Sequence, residues 1–272
     1  MFTRQAVALV AALALASASL LADVTIVTTM TMDGGAPGMM AGQQMPRLVT
    51  HVKGMKAATV VETGATTMTS IIDLTRRRVV MLNSQDRTAQ VLDGTPAAAD
   101  KSIPIPKMDL KVTPTGRKRT IQGVECTEHT YTMTVQMDQV MGGGQVPPEA
   151  AAMLQGVSMK MDGSVWSATT GPGAAEFMAY TKAFVDQNMM AVMASGMPGL
   201  AGGIDQMMAA STQAPGIAYL TEMTMTVEGT GQVVEMMRKM GPMKMRMEVT
   251  SISTDSVPDS MFEIPQGYKT VK

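Results

Sequence analysis

The sequence predicts a mainly β (α+β) protein: a large curved antiparallel sheet, or unclosed half-barrel, with a helical insertion covering the concave face. Three observations lead there. Short runs rich in Val, Ile and Thr recur about every 8 to 15 residues, separated by turn chemistry such as Thr63-Gly64 and Asp93-Gly94. Several of these runs alternate methionine with Thr, Lys or Glu, the period of a strand with one apolar face. Only one stretch, residues 174–193, carries a helical stripe of apolar positions.

Taken in order, residues 1–22 read as a secretory signal. Arg4 supplies the positive start, and an Ala/Val/Leu run follows, with small residues at its end. Cleavage is expected after Ala18 or Ala22, leaving an exported, periplasmic or secreted protein. Residues 23–272 then form a single β domain. Strands are expected at 24–32, 47–53, 58–62, 67–74, 79–83 and 89–93, as an antiparallel meander with no βαβ unit. Two Ile-Pro pairs make 101–108 a crossing loop or edge. Strands resume at 109–113, 119–121, 124–137 and 157–166. Glycine-rich 141–148 is a loop, and 149–154 is one helical turn. The helical insertion spans about 172–210, opened by Gly171-Pro172-Gly173 and holding a short second helix at 204–210. Strands at 218–228, 233–236 and 243–253 complete the pattern.

Methionine is the unusual residue, with 32 in the chain against eight leucines beyond residue 22. Strand alternation sends Met159 and Met161, Met223 and Met225, Met243, Met245 and Met247, Met133 and Met137, and Met30 and Met32 each to one face of their strand. The helical insertion offers Met178, Met189, Met190, Met193 and Met197 as the opposing layer. Methionine loses about 1.5–2 kcal/mol of rotamer entropy when fixed, against about 0.5–1 for Leu or Ile. A fixed core is therefore better made from leucine. Methionine suits a deformable lining for an apolar ligand of variable shape. The expected lining is Met30, Met32, Met133, Met137, Met159, Met161, Met178, Met189, Met193, Met223, Met225 and Met245.

The segment Pro114 to Cys126 contains Ile121-x-Gly123-x-x-Cys126, a Trp-bearing strand follows at Val165-Trp166, and the chain closes with Met261-Phe262-Glu263-Ile264-Pro265-Gln266-Gly267-Tyr268. Together with the signal and the meander, these resemble an uncharacterised bacterial exported family, domain of unknown function 4412. That resemblance implies an architecture similar to the LolA/LolB lipoprotein carriers, an unclosed curved sheet whose hollow takes acyl chains, with helices plugging it. No functional residue of those carriers aligns here, and fold likeness alone does not assign their transport role.

Other chemistries lack their residues. Charge is balanced at −1 and aromatics number nine, so the basic, stacking face of a nucleic-acid binder is missing. The clusters Arg76-Arg77-Arg78 and Arg117-Lys118-Arg119 read as solvated turns. His51 and His129 have no second ligand at metal spacing, no hydrolase, P-loop or dinucleotide motif occurs, and the carboxylates are scattered on exposed strand faces. The lone Cys126 forms no internal disulfide and reads as a small buried hydrophobe. The expectation is a non-enzymatic protein without a cofactor, whose partner is an apolar or acyl ligand. A membrane-associated protein that exchanges such a ligand is compatible with that reading. The alternative is Cu(I) held by thioethers, placed at Met240, Met243, Met245 and Met247. A sink for oxidants at Met39, Met40 and Met45, and a ligand-free structural domain, are further readings.

Overall fold

The computed structural model describes residues 22–34, 45–64, 66–94, 108–137, 156–196 and 212–271. Almost all of the signal segment, residues 101–107 of the loop expected at 101–108, the loop expected at 141–148, the turn at 149–154, the second helix at 204–210, and Met39, Met40 and Met197 lie outside the described residues.

Twelve strands form one sheet: β1 (Val24–Asp33), β2 (Arg47–Lys53), β3 (Lys56–Thr63), β4 (Thr66–Asp73), β5 (Arg78–Asn83), β6 (Thr88–Asp93), β7 (Met108–Ile121), β8 (Val124–Gln136), β9 (Ser158–Ala168), β10 (Ile217–Glu228), β11 (Met243–Ser253) and β12 (Lys269–Val271). Their order is β12-β6-β5-β4-β3-β2-β1-β11-β10-β9-β8-β7. Two antiparallel meanders, β1–β6 and β7–β11, are thus joined edge to edge where β1 pairs with β11. β12 and β7 end the order without pairing to each other, so the barrel is unclosed. This is the mainly β class that the strand spacing predicts.

Helices α1 (Ala174–Asp186) and α2 (Met189–Gly196) follow β9. Gly173 begins α1 at φ 69°, and a Cβ there would come within 2.2 Å of Val24 Cγ2, so only glycine lets the helix start so close to β1. Asn188, at φ 51°, separates the helices where a single one was expected. α1 packs on β2 and the start of β10, and α2 on β5 and β6. Beneath them Val24, Ile26, Val52, Ala57 and Val79 form the main core with Tyr180, Met189 and Val192. The opposite face of β3–β6 has its own small core, Ala58, Ile71, Val80, Leu82 and Ala89. Phe262 and Tyr268 of the closing segment cover it, and β12 then pairs with β6 in parallel.

Three sequence expectations need correction. Residues 233–236 are not a strand but part of α3 (Gln232–Lys239), which packs on β10 with Val234 buried at 1% exposure. Gly231, at φ 113°, breaks the strand ahead of it. Residues 109–121 are one strand rather than two, carrying a bulge in which 115–117 oppose Glu128 alone. Arg117-Lys118-Arg119 therefore lies in a bulged strand and not a turn. The Arg76–Arg78 cluster does begin in the β4–β5 turn, with Arg77 left-handed and Arg78 the first residue of β5.

Candidate functional site

Backbone register turns the predicted methionine stripes into a lattice. Met133 stands opposite Met161, Met161 opposite Met225, and Met225 opposite Met243, a row across β8, β9, β10 and β11. A second row runs Tyr131, Gly163, Met223, Met245 and Met32. In the third, Met247 faces Met30. Met159 faces Val135 and Val227 beyond the first row. Directly opposed residues have Cβ atoms about 4.5–5.5 Å apart, which puts neighbouring thioether chains within reach of one another across the strands. Most of these methionines are half-buried; Met243 is exposed at 37%. Among the described residues none of them belongs to, or packs against, the main core.

Gly163 leaves the only gap in the second row, and the ring of Tyr131 fills it. A Cβ at 163 would lie 2.7 Å from Tyr131 Cζ and 2.2 Å from the carbonyl oxygen of Glu222. Burial pushes the Tyr131 hydroxyl's pKa up, so it stays neutral beside the methionines.

The other predicted lining residues separate from this lattice. Met189 is fully buried in the main core and Met193 packs against that core. Met178 is half-buried on α1, and Met137 is half-buried just past the end of β8. Of the thioethers set aside for Cu(I), Met243, Met245 and Met247 join the lattice, while Met240 caps the C-terminus of α3, three residues before β11.

A second feature lies on the opposite face. A cavity of about 780 Å³ is lined by residues of six neighbouring strands, from β7 round to β1. Gln122, in the β7–β8 turn, donates a hydrogen bond to the carbonyl of Val249 on β11. β11 is three places from β8 in the sheet, about 14 Å in a flat one, so the sheet curls around this polar side. Its concave wall is charged. Glu128, 3% exposed, accepts from Arg117 Nη2 at 2.6 Å, from Arg117 Nε, and from Thr115 Oγ1 at 2.8 Å. The bulge in β7 aims Arg117 across β8, with its guanidinium 6.0 Å from the Trp166 ring. Arg246 bridges Glu222 and Glu248 at 2.8 and 2.9 Å. At Asp162 burial opposes the charge, but bonds from Lys160 and Thr132 outweigh it and hold the pKa below the usual carboxylate value.

This charged wall has no counterpart in the sequence expectations, which place a concavity only on the methionine face. Of the twelve predicted lining residues, only Met223 and Met245 border this cavity, from strands whose neighbouring residues Glu222, Thr224, Lys244 and Arg246 line it too. It also shows that the carboxylates are not all on exposed faces, since Glu128 and Glu176 are buried. His51 is half-buried and bonded to Thr25, and His129 is a buried strand-face residue. Cys126 is fully buried, and burial raises its thiol pKa, as a small buried hydrophobe requires. No group of three or more His, Cys, Asp or Glu suited to a metal occurs among the described residues. None of their helices is long and apolar enough to cross a membrane.

No family model matches the chain, and no curated protein does. Among solved structures, one described as PNGF-II in space group C2 aligns with 92% of this chain at 9% identity and a TM-score of 0.35. The chain spans only 30% of that structure's length. The family resemblance therefore rests on the short motifs that suggested it.

Proposed function

We propose that this is an exported, non-enzymatic binding protein that holds an apolar or acyl ligand against the methionine lattice of β8–β11 and β1. One observation carries the reading. Methionines from five strands stand in register, half-buried, outside the main core that the helices cover. Exposed apolar area of this kind costs about 25 cal/mol per Å² while it stays in water, and a chain of methylenes laid across the rows recovers it. Thioether side chains hop between rotamers at little cost, so the surface accepts chains of differing length and bend. A carrier of the LolA/LolB type, exchanging its ligand with a membrane-associated partner, is the role such a surface suits.

Delipidated protein titrated with the fluorescent fatty acid cis-parinaric acid tests this. Saturable binding is expected, weakened at least about tenfold when Met161, Met225 and Met243 are all changed to serine. Absence of saturable binding to the wild-type protein overturns it.

A second reading has its own observation. Met32, Met245 and Met223 are consecutive in one row on three adjacent strands, which brings three thioethers together, the donor set of a Cu(I) site. Met245 is at its centre. Stoichiometric Cu(I) uptake that Met245→Leu abolishes, with no acyl binding, would favour copper over the lipid.

A further inference from the structure

We infer that the charged cavity on the concave face is a separate site for an organic anion with a flat apolar body, such as an aromatic phosphate or carboxylate. Four acidic and four basic residues line it, and their pairing leaves two of the cations, Arg119 and Lys244, outside any ion pair among the described residues. Arg117 is consumed by Glu128, and Arg246 by Glu222 and Glu248. Asp162 is held by Lys160 and Thr132, while Asp33, which accepts from the Gly34 amide, keeps its charge on β1 in register with Lys244. Arg119 and Lys244 keep their charge with no ion-pair partner among the described residues. They come from β7 and β11, opposite walls of the curl. An anion between them gains two charge-assisted contacts without displacing any existing pair.

The apolar element is Trp166. Its ring borders the cavity at 8% exposure, and the Arg117 guanidinium lies over it, fixed by the buried Glu128 carboxylate. A flat ligand body meets this arginine–indole wall while its anionic group reaches Arg119 or Lys244. The volume of about 780 Å³ is within the range of small-molecule sites. Apart from Met223 and Met245, which border the cavity, the methionine lattice lies on the other face of the sheet, so this site stands whether or not an acyl chain binds there.

Trp166 is the only tryptophan in the chain, so all tryptophan emission comes from a residue that borders this cavity. The experiment titrates the full protein with phenyl phosphate, and with phenol as the uncharged control, following Trp166 emission and the calorimetric heat in parallel. Expected is saturable binding of phenyl phosphate that weakens with added salt and exceeds phenol at least about tenfold. Arg119→Gln/Lys244→Gln should lower the affinity about tenfold, while Met225→Ser leaves it unchanged. Both changed residues are exposed, and circular dichroism checks that the variant is folded. The inference is overturned if neither signal saturates with phenyl phosphate, if phenol binds as well, or if the double variant binds as tightly as wild type.

Discussion

Met225 on β10 stands directly opposite Met161 on one side and Met243 on the other, the centre of a four-strand row of thioethers. An apolar chain crossing the strands must pass over this side chain. Met225→Leu preserves apolar volume and is expected to change stability by less than about 1.5 kcal/mol, with acyl binding retained. Met225→Glu puts a charge in the middle of the row and should weaken cis-parinaric acid at least about tenfold, because the bound chain would desolvate the carboxylate. Fluorescence titration of the two variants side by side checks the pair of outcomes. Equal affinities would detach the row from ligand binding.

Gly163 and Tyr131 give a prediction about the scaffold. The missing Cβ at 163 lets β9 approach the Glu222 carbonyl, a backbone atom that cannot rotate away. Gly163→Ala should cost about 1–3 kcal/mol, a fall in Tm of roughly 2–12 °C for a chain of this size. Differential scanning calorimetry measures it. Tyr131→Ala in the same background removes the 2.7 Å clash with the ring but not the 2.2 Å one with the carbonyl, so it should fail to restore Tm.

The strands and the methionine faces were legible in the sequence because both are local. Val, Ile and Thr with period-two alternation mark a strand, and alternation alone sends Met243, Met245 and Met247 to one side. Which methionine meets which was not legible, since register depends on pairings such as β1 with β11, more than 200 residues apart in sequence. The concave side was invisible for the same reason. Arg117, Glu128, Trp166 and Lys244 converge only when the sheet curls, and nothing local records that. A signal did exist: Trp166 shares strand parity with Asp162 and Ser164, an odd place for the only tryptophan if that face were simply wet. α3 was missed because the Val-Val pair at 233–234 reads as strand, although Val234 and Met237 have helical spacing. β12 has three residues, too few to show a period.

Arg117 and Glu128 should respond unequally to truncation. Arg117 has a side chain that is 66% exposed and loses little by returning to water, whereas the Glu128 side chain is 4% exposed. Arg117→Ala leaves that carboxylate with Thr115 as its remaining side-chain partner and should cost about 2 kcal/mol or more. Glu128→Gln keeps an acceptor for the guanidinium and removes the buried charge, so the loss should be smaller. Urea denaturation of both variants gives the order. The reverse order would mean that leaving the buried Glu128 carboxylate without Arg117 carries little penalty.

Glu176 predicts how stability changes with pH. It lies on α1 at 2% exposure, with Oε1 accepting from the Gly54 amide at 2.7 Å and Oε2 buried without a partner. Burial raises its pKa, the nearby Asp23 raises it further, and the Gly54 bond only partly opposes them. The folded state therefore holds this proton more tightly than the unfolded chain. Its contribution is fully present below the ordinary carboxyl pKa and is lost as pH rises through the raised folded value. Glu176→Gln keeps the Gly54 contact and cannot ionise. The variant should match wild type at low pH, then become the more stable of the two above the raised pKa, with a flatter dependence of Tm on pH between. Because α1 roofs Val24 and Val52, the same titration should loosen the helix from β2 first, and amide exchange along 174–186 should accelerate with rising pH beyond its intrinsic base dependence in wild type but not in the variant. Parallel Tm profiles for the two proteins would show that Glu176 ionises without cost, and that its burial does not govern how the roof is held.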